Sequence, residues 1–158
     1  MSKIVCFHNP NEPYGFLSNW YKSVFTEDSV KYTSVEQYMM YHKAVLFGDA
    51  DAAGAILATD DVAEIKQYGR QVRQYDDVKW SAVRYNVVKQ AVYLKFTQNP
   101  QLAKQLKATK DAILCECAVH DKVWGIGLSM HDPNRLDPSK WRGTNMLGRA
   151  LMEVRVML

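Results

Sequence analysis

Along Ser34–Gly48, SVEQYMMYHKAVLFG, apolar residues recur at helical spacing and run almost all the way round. Val35, Met39 and Leu46 share one face with His42, while Tyr38, Tyr41 and Val45 form a second. Met40 and Phe47 lie on a third face that also carries Glu36 and Lys43. Ser34 with Gln37 three residues later matches a capping box, and Gly48 suits the helix end. A helix apolar on so many sides belongs in a core. Its two formal charges, Glu36 and Lys43, therefore need an explanation.

The same pattern reading places the remaining elements. KIVCFH (Lys3 to His8) has strand character and is followed by a loop rich in Asn, Pro and Gly. SVFTEDSVKYTS reads as a hairpin turning at Glu27 to Ser29. Two short helices are predicted near Ala50 to Ala58 and Val62 to Tyr68, with Asp49 and Asp61 as N-caps. The longest helix should run from about Val78 to Phe96 after Asp77, with Trp80, Val83, Val87, Ala91 and Leu94 on its stripe. Asn99 and Pro100 mark another helix start, reaching about Ala108. AILCECA reads as a strand, and KVWGIGL as a short apolar segment ending in a glycine turn. A last helix from about Asn145 puts Leu147, Ala150, Leu151, Val154 and Leu158 on one face. The expectation is a mainly helical α+β fold with a few short strands, in one domain spanning residues 1–158.

Composition narrows the class. The 158 residues, 47% hydrophobic and 23% charged, suit one soluble domain with a real core. No apolar run approaches the roughly 20 residues of a membrane span, and the N-terminus lacks a signal-peptide core. A cytoplasmic protein with no membrane partner is expected. The formal charge of +3 is scattered, which argues little for a polyanion but allows small phosphorylated ligands. Cys6, Cys115 and Cys117 are too few and too oddly spaced for a disulfide framework. Cys115 and Cys117, with His120 beyond, lack the fourth ligand of a zinc site and read as small strand residues facing the core. Neither a metal nor a cofactor is expected.

Glu36 and Lys43 stand roughly 10 Å apart along a helix axis, too far for a direct ion pair in most rotamers. Either both reach water at the helix edge, or the helix floors a cleft holding a carboxylate and an ammonium about one sugar ring apart. Two glycine-bearing loops add candidates. EPYGFLSNWY gathers Gly15, Ser18 and Asn19 between aromatics. VWGIGLSMHDPNRLDPSKWRGTN holds Trp124, Gly125, Gly127, His131, Asp132, Arg142 and Asn145, and ends at a helix start. Long loops of this kind are often functional. Free amides at a helix start suit an anionic oxygen, making Arg142 and the amides around Thr144 and Asn145 phosphate candidates.

Five blocks in order, YGFLSNWY, SVEQYMMYHKA, KFTQNPQL, VWGIGLSMHDP and WRGTNMLGRALMEVR, resemble the NADAR family over about Val5 to Arg155. That family, which includes the YbiA-like proteins, is described as small, mainly helical N-glycosidases. The resemblance implies hydrolysis of the bond between a ribose, carrying a phosphate or ADP-ribose, and a base or aminopyrimidine, such as riboflavin-pathway ribosylamine intermediates. An ADP-ribosyl-guanine hydrolase, with ADP-ribosylated nucleic acid as partner, is the alternative within the family. A non-catalytic ADP-ribose or nucleotide-binding module and a purely structural protein are alternatives outside catalysis. By motif, Glu36 is the acidic residue and Lys43 the basic residue after it, while Trp124, Gly125, Asn145 and Gly148 match later blocks. On that basis Glu36 would be catalytic and Lys43 would meet ribose oxygens or a phosphate. Trp124 would stack on the base, which Ser18 and Asn19 would position. YbiA-like proteins carry an acid directly after the Trp-Gly pair, where this chain has Ile126. Asp132 is the nearest acidic residue, read either as a general acid or as the start of a turn.

Overall fold

The computed structural model describes residues 3–158. In chain order the elements are β1 (Ile4–Phe7), β2 (Phe25–Glu27), β3 (Val30–Tyr32), α1 (Val35–Leu46), α2 (Ala50–Leu57), α3 (Val62–Arg70), α4 (Asp77–Gln98), α5 (Pro100–Lys107), β4 (Ile113–Glu116) and α6 (Met146–Met157). Short 3-10 turns occupy Gly15–Leu17, Pro133–Leu136 and Pro138–Lys140. The fold is mainly helical α+β, as the periodicity predicts. Among the described residues, no helix is long and apolar enough to cross a membrane. The chain forms two compact units, Lys22–Asn99 on one hand and the segment up to Tyr21 with Pro100–Leu158 on the other.

In the Lys22–Asn99 unit, α1 packs against α2, α3 and α4, which explains a helix apolar on several sides. Its first half, Val35 to Met40, is buried all round, but Val45 and Leu46 emerge at the far end. Burial of the whole helix was therefore an overestimate, because the helices packed on it cover mainly its first turns. The Ser34 hydroxyl accepts from Gln37 N at 3.0 Å. The Gln37 side chain does not complete the box as predicted: its Oε1 accepts from Thr33 N at 2.7 Å, one residue earlier. Its Nε2 then donates to the carbonyls of Ile56 and Thr59, tying α1 to the end of α2. Close approach of α3 needs Gly69, where an added Cβ would overlap the Met40 sulfur. The hairpin turns at Asp28 and Ser29, both with positive φ, the geometry of a two-residue turn between twisted strands.

Two expectations for α4 are corrected. Its cap is Asp76, whose carboxylate accepts from Val78 N and Lys79 N, so the helix begins at Asp77. Its buried stripe keeps Trp80 and Ala91 from the prediction and adds Val88, Val92, Lys95 and Phe96, whereas Val83 is exposed. The spacing Val83–Val87–Leu94 is equally helical, so periodicity alone does not choose between two adjacent stripes. Lys95 was missed because lysine reads as a surface residue. Desolvation pulls its pKa down to about 7.

In the other unit β1 and β4 pair in parallel with Cys6 opposite Cys115, and α6 packs on β4. Gly148 lets α6 approach so closely that a Cβ there would overlap the Leu114 carbonyl. Leu147, Ala150, Leu151 and Val154 are buried as predicted, and Leu158 is only half-buried. The KVWGIGL segment is irregular and turns at Gly127, with φ of 73°.

Candidate functional site

In the Lys22–Asn99 unit, Glu36 lies in the first turn of α1 and is 5% exposed. The sequence left open whether it reaches water at an edge, and burial settles that it does not. Lys43 is half-buried two turns on, and desolvation is the main influence lowering its pKa. The charge of Glu36 opposes that fall, and Arg70 on α3 adds to it. An anionic group and two cations thus act on one stretch of α1. Arg70 is a residue that sequence reasoning missed, since only the α1–α3 packing brings it near Lys43. Tyr75 was missed too: its ring lies under the Lys43 ammonium, 4.6 Å from the nitrogen to the centroid.

The opposite side of α1 is anchored to the hairpin. Tyr38 donates its hydroxyl to Glu27 at 2.8 Å, and Gln90 of α4 donates to the other Glu27 oxygen at 3.1 Å. Burial and the Glu27 carboxylate raise the Tyr38 pKa well above the ordinary phenol. His42 packs against Tyr38 with ring centroids 4.1 Å apart and planes tilted by 41°, and desolvation lowers its pKa against the opposing charge of Glu27. Asp49 fixes the far end of α1. Its carboxylate accepts from Arg73 Nη2 and Arg73 N, both at 2.9 Å, and caps α2 through Ala52 N at 3.1 Å.

In the other unit, Gly15 opens a 3-10 turn, and Ser18 and Asn19 follow it, all three buried. Ser18 Oγ accepts from Trp20 N at 3.1 Å. Asn19 Oδ1 is buried with no hydrogen-bond partner among the described residues, an acceptor suited to a donor on a ligand. Trp124 is half-buried and Gly125 buried. The turn holding them is set by Asp121, whose carboxylate accepts from Val123 N and Trp124 N at 2.9 and 2.8 Å. The sequence signal for Asp121 was its place two residues before an apolar run, the pattern of an Asx turn.

The start of α6 differs from the phosphate-binding expectation. Amides of Thr144, Asn145, Met146 and Leu147 all donate to carbonyls of Lys122 to Trp124 and Gly125, so they hold the Trp124 turn. Asn145 sits at φ 52° and is 5% exposed. Its Oδ1 accepts from Glu116 N and its Nδ2 donates to the Leu114 carbonyl, bracing β4. The Arg142 residue is exposed, with its amide on the Ile126 carbonyl. Asp132 caps the Pro133–Leu136 turn by accepting from Asn134 N at 2.8 Å, the turn reading of that residue. Ile126 is fully buried, packed with Cys115, Cys117 and Leu128, so the position after the Trp-Gly pair is a core position here. Cys115 and Cys117 face that core, as their spacing predicts. Cys6 joins them across the strand pair, with its sulfur 3.4 Å from that of Cys115.

Comparison with known proteins accords with this architecture. A family profile described as the NADAR domain matches residues 6–158. An N-glycosidase of Acanthamoeba polyphaga mimivirus is 37% identical, with 97% of this chain and 95% of that protein covered. A riboflavin biosynthesis protein of Vibrio vulnificus is 34% identical over 98% of this chain but only 38% of its own length. The NMR structure of the E. coli protein YbiA superposes with a TM-score of 0.81 at 26% identity, covering 99% of this chain and 84% of that one.

Proposed function

The chain belongs to the NADAR domain family, and we propose on that footing that it is an N-glycosidase acting on phosphorylated ribosyl compounds. Its substrate class in this reading is a ribose 5-phosphate joined through nitrogen to an aminopyrimidine, as in early riboflavin-pathway intermediates. Support for the activity comes from relatives named N-glycosidases, and for the substrate from a relative named for riboflavin biosynthesis. The observation that carries the reading is Glu36, a carboxylate buried on α1 within the family's motif.

Breaking a ribosyl C–N bond builds positive charge at the sugar while water must be deprotonated to attack it. A buried carboxylate serves both needs: it accepts the water proton and its negative charge stabilises the oxocarbenium-like centre. Glu36 takes that role. Lys43 and Arg70, the two cations that act on the same helix, take the phosphate or ribose oxygens. The Tyr75 ring limits where the Lys43 ammonium can go, so less freedom is lost on binding.

A second reading, nucleotide binding without turnover, is favoured by Ile126, which places no acid after Trp124 and Gly125. Incubation with a ribosylamine 5-phosphate and with an ADP-ribosylated guanine oligonucleotide separates the readings. Release of ribose 5-phosphate from the first supports the proposal, and release of ADP-ribose from the second moves the substrate class. Tight binding with no free sugar from either leaves a binding module and sinks the proposal.

A further inference from the structure

Three sulfurs converge in the unit built on β1 and β4. Cys6 and Cys115 are register partners on adjacent strands, and their sulfurs lie 3.4 Å apart. Cys117, two residues along β4's line, points to the same side with its sulfur 4.0 Å from that of Cys115. All three sulfurs lie within 4.8 Å of one another. Sulfurs spaced in this way leave a central point about 2.4 Å or less from each, against about 2.3 Å for a zinc–thiolate bond.

We propose that Cys6, Cys115 and Cys117 form a trigonal site for one soft monovalent metal ion, Cu(I). Geometry supplies three donors at bonding span, and the donor set selects the ion. Among the described residues no histidine or carboxylate joins the group, whereas zinc in structural sites takes four ligands. All-sulfur ligation favours Cu(I), and Met130, a further soft side chain, packs against the same cluster. Cys115 and Cys117 are buried among Ile126 and Leu128, so water is excluded, while half-buried Cys6 leaves a way in. The guanidinium of Arg135 acts on Cys6 and offsets the negative charge that three thiolates would bring to a buried place. The site does not depend on the glycosidase reading.

The test is titration of the reduced protein with Cu(I) under anaerobic conditions against bicinchoninate, followed by X-ray absorption at the copper edge. One ion per chain held against the chelator, with a shell of three sulfurs near ~2.3 Å, is the expected result. Cys6→Ser, at the half-buried position, should melt like the wild type and lose Cu(I) affinity by tenfold or more. Copper stripped as easily from the wild type as from Cys6→Ser overturns the site. A shell of nitrogen or oxygen does the same, and it does so on the wild-type protein alone should the variant fail to fold. Zinc held more tightly than Cu(I) overturns the choice of ion.

Discussion

The Lys43 ammonium lies 4.6 Å from the centroid of the Tyr75 ring. Tyr75 is itself held, edge-on to Phe47 at 5.4 Å and with its hydroxyl donating to Asp77 at 2.7 Å. The ring therefore sets the ammonium's position from outside α1, while Arg70 approaches from α3.

If these two cations meet a phosphate, Lys43→Ala and Arg70→Ala should each weaken a phosphorylated ligand by about tenfold or more. Charge-assisted bonds are worth about 1.5–3 kcal/mol, which sets that scale. The matching dephosphorylated ligand should lose far less. Calorimetric titration of both ligands checks this, and equal losses would make the two residues scaffold.

Asp49 gives a pH dependence with a defined sign. Hydrogen bonds from the Arg73 side chain, then from the amides of Arg73 and Ala52, hold its pKa down at about 2. An unfolded-state aspartate titrates near about 3.9. Because the folded value is the lower one, its stabilisation is complete above about pH 4 and disappears as pH falls toward 2. Asp49→Asn should thus lower the urea midpoint at pH 7, and the gap from wild type should close between pH 4 and 2. A gap that stays constant across that window would show that the charge contributes nothing.

What the sequence disclosed was whatever depends on near neighbours. Ser34, Asp49 and Asp61 cap helices as their side-chain chemistry requires, and the Asp28–Ser29 turn follows from residues that tolerate positive φ. On α4, Trp80 and Ala91 are buried as the stripe predicts, but Val88, Val92, Lys95 and Phe96 were hidden, since the choice between two helical stripes is made by α1 packing against that helix. The same holds for the candidate site. Glu36 and Lys43 were visible on one helix face, but Arg70 and Tyr75 arrive through α3 and the connection after it. Cys6 reaches Cys115 only through a parallel pairing between residues far apart in the chain. Asn145 reads in sequence as a helix start, yet its side chain serves β4.

That last role is testable. Removing the Asn145 side chain leaves Glu116 N and the Leu114 carbonyl without it, and each unsatisfied buried group costs about 1–3 kcal/mol. Asn145→Gly should lose roughly 2–4 kcal/mol by chemical denaturation on that scale, although glycine suits φ 52° better than asparagine does. A glycine variant as stable as the wild type would mean that only the backbone conformation matters.

In the proposed function the buried Glu36 carboxylate drives N-glycosidic cleavage. Glu36→Gln keeps the size of the side chain and removes its charge and its basicity. Single-turnover release of ribose 5-phosphate from a ribosylamine 5-phosphate, followed alongside thermal melting, measures the consequence directly. The expected result is a rate lower by about 10²–10⁴-fold from a protein that still melts cooperatively. A folded Glu36→Gln protein that turns over at the wild-type rate would contradict it.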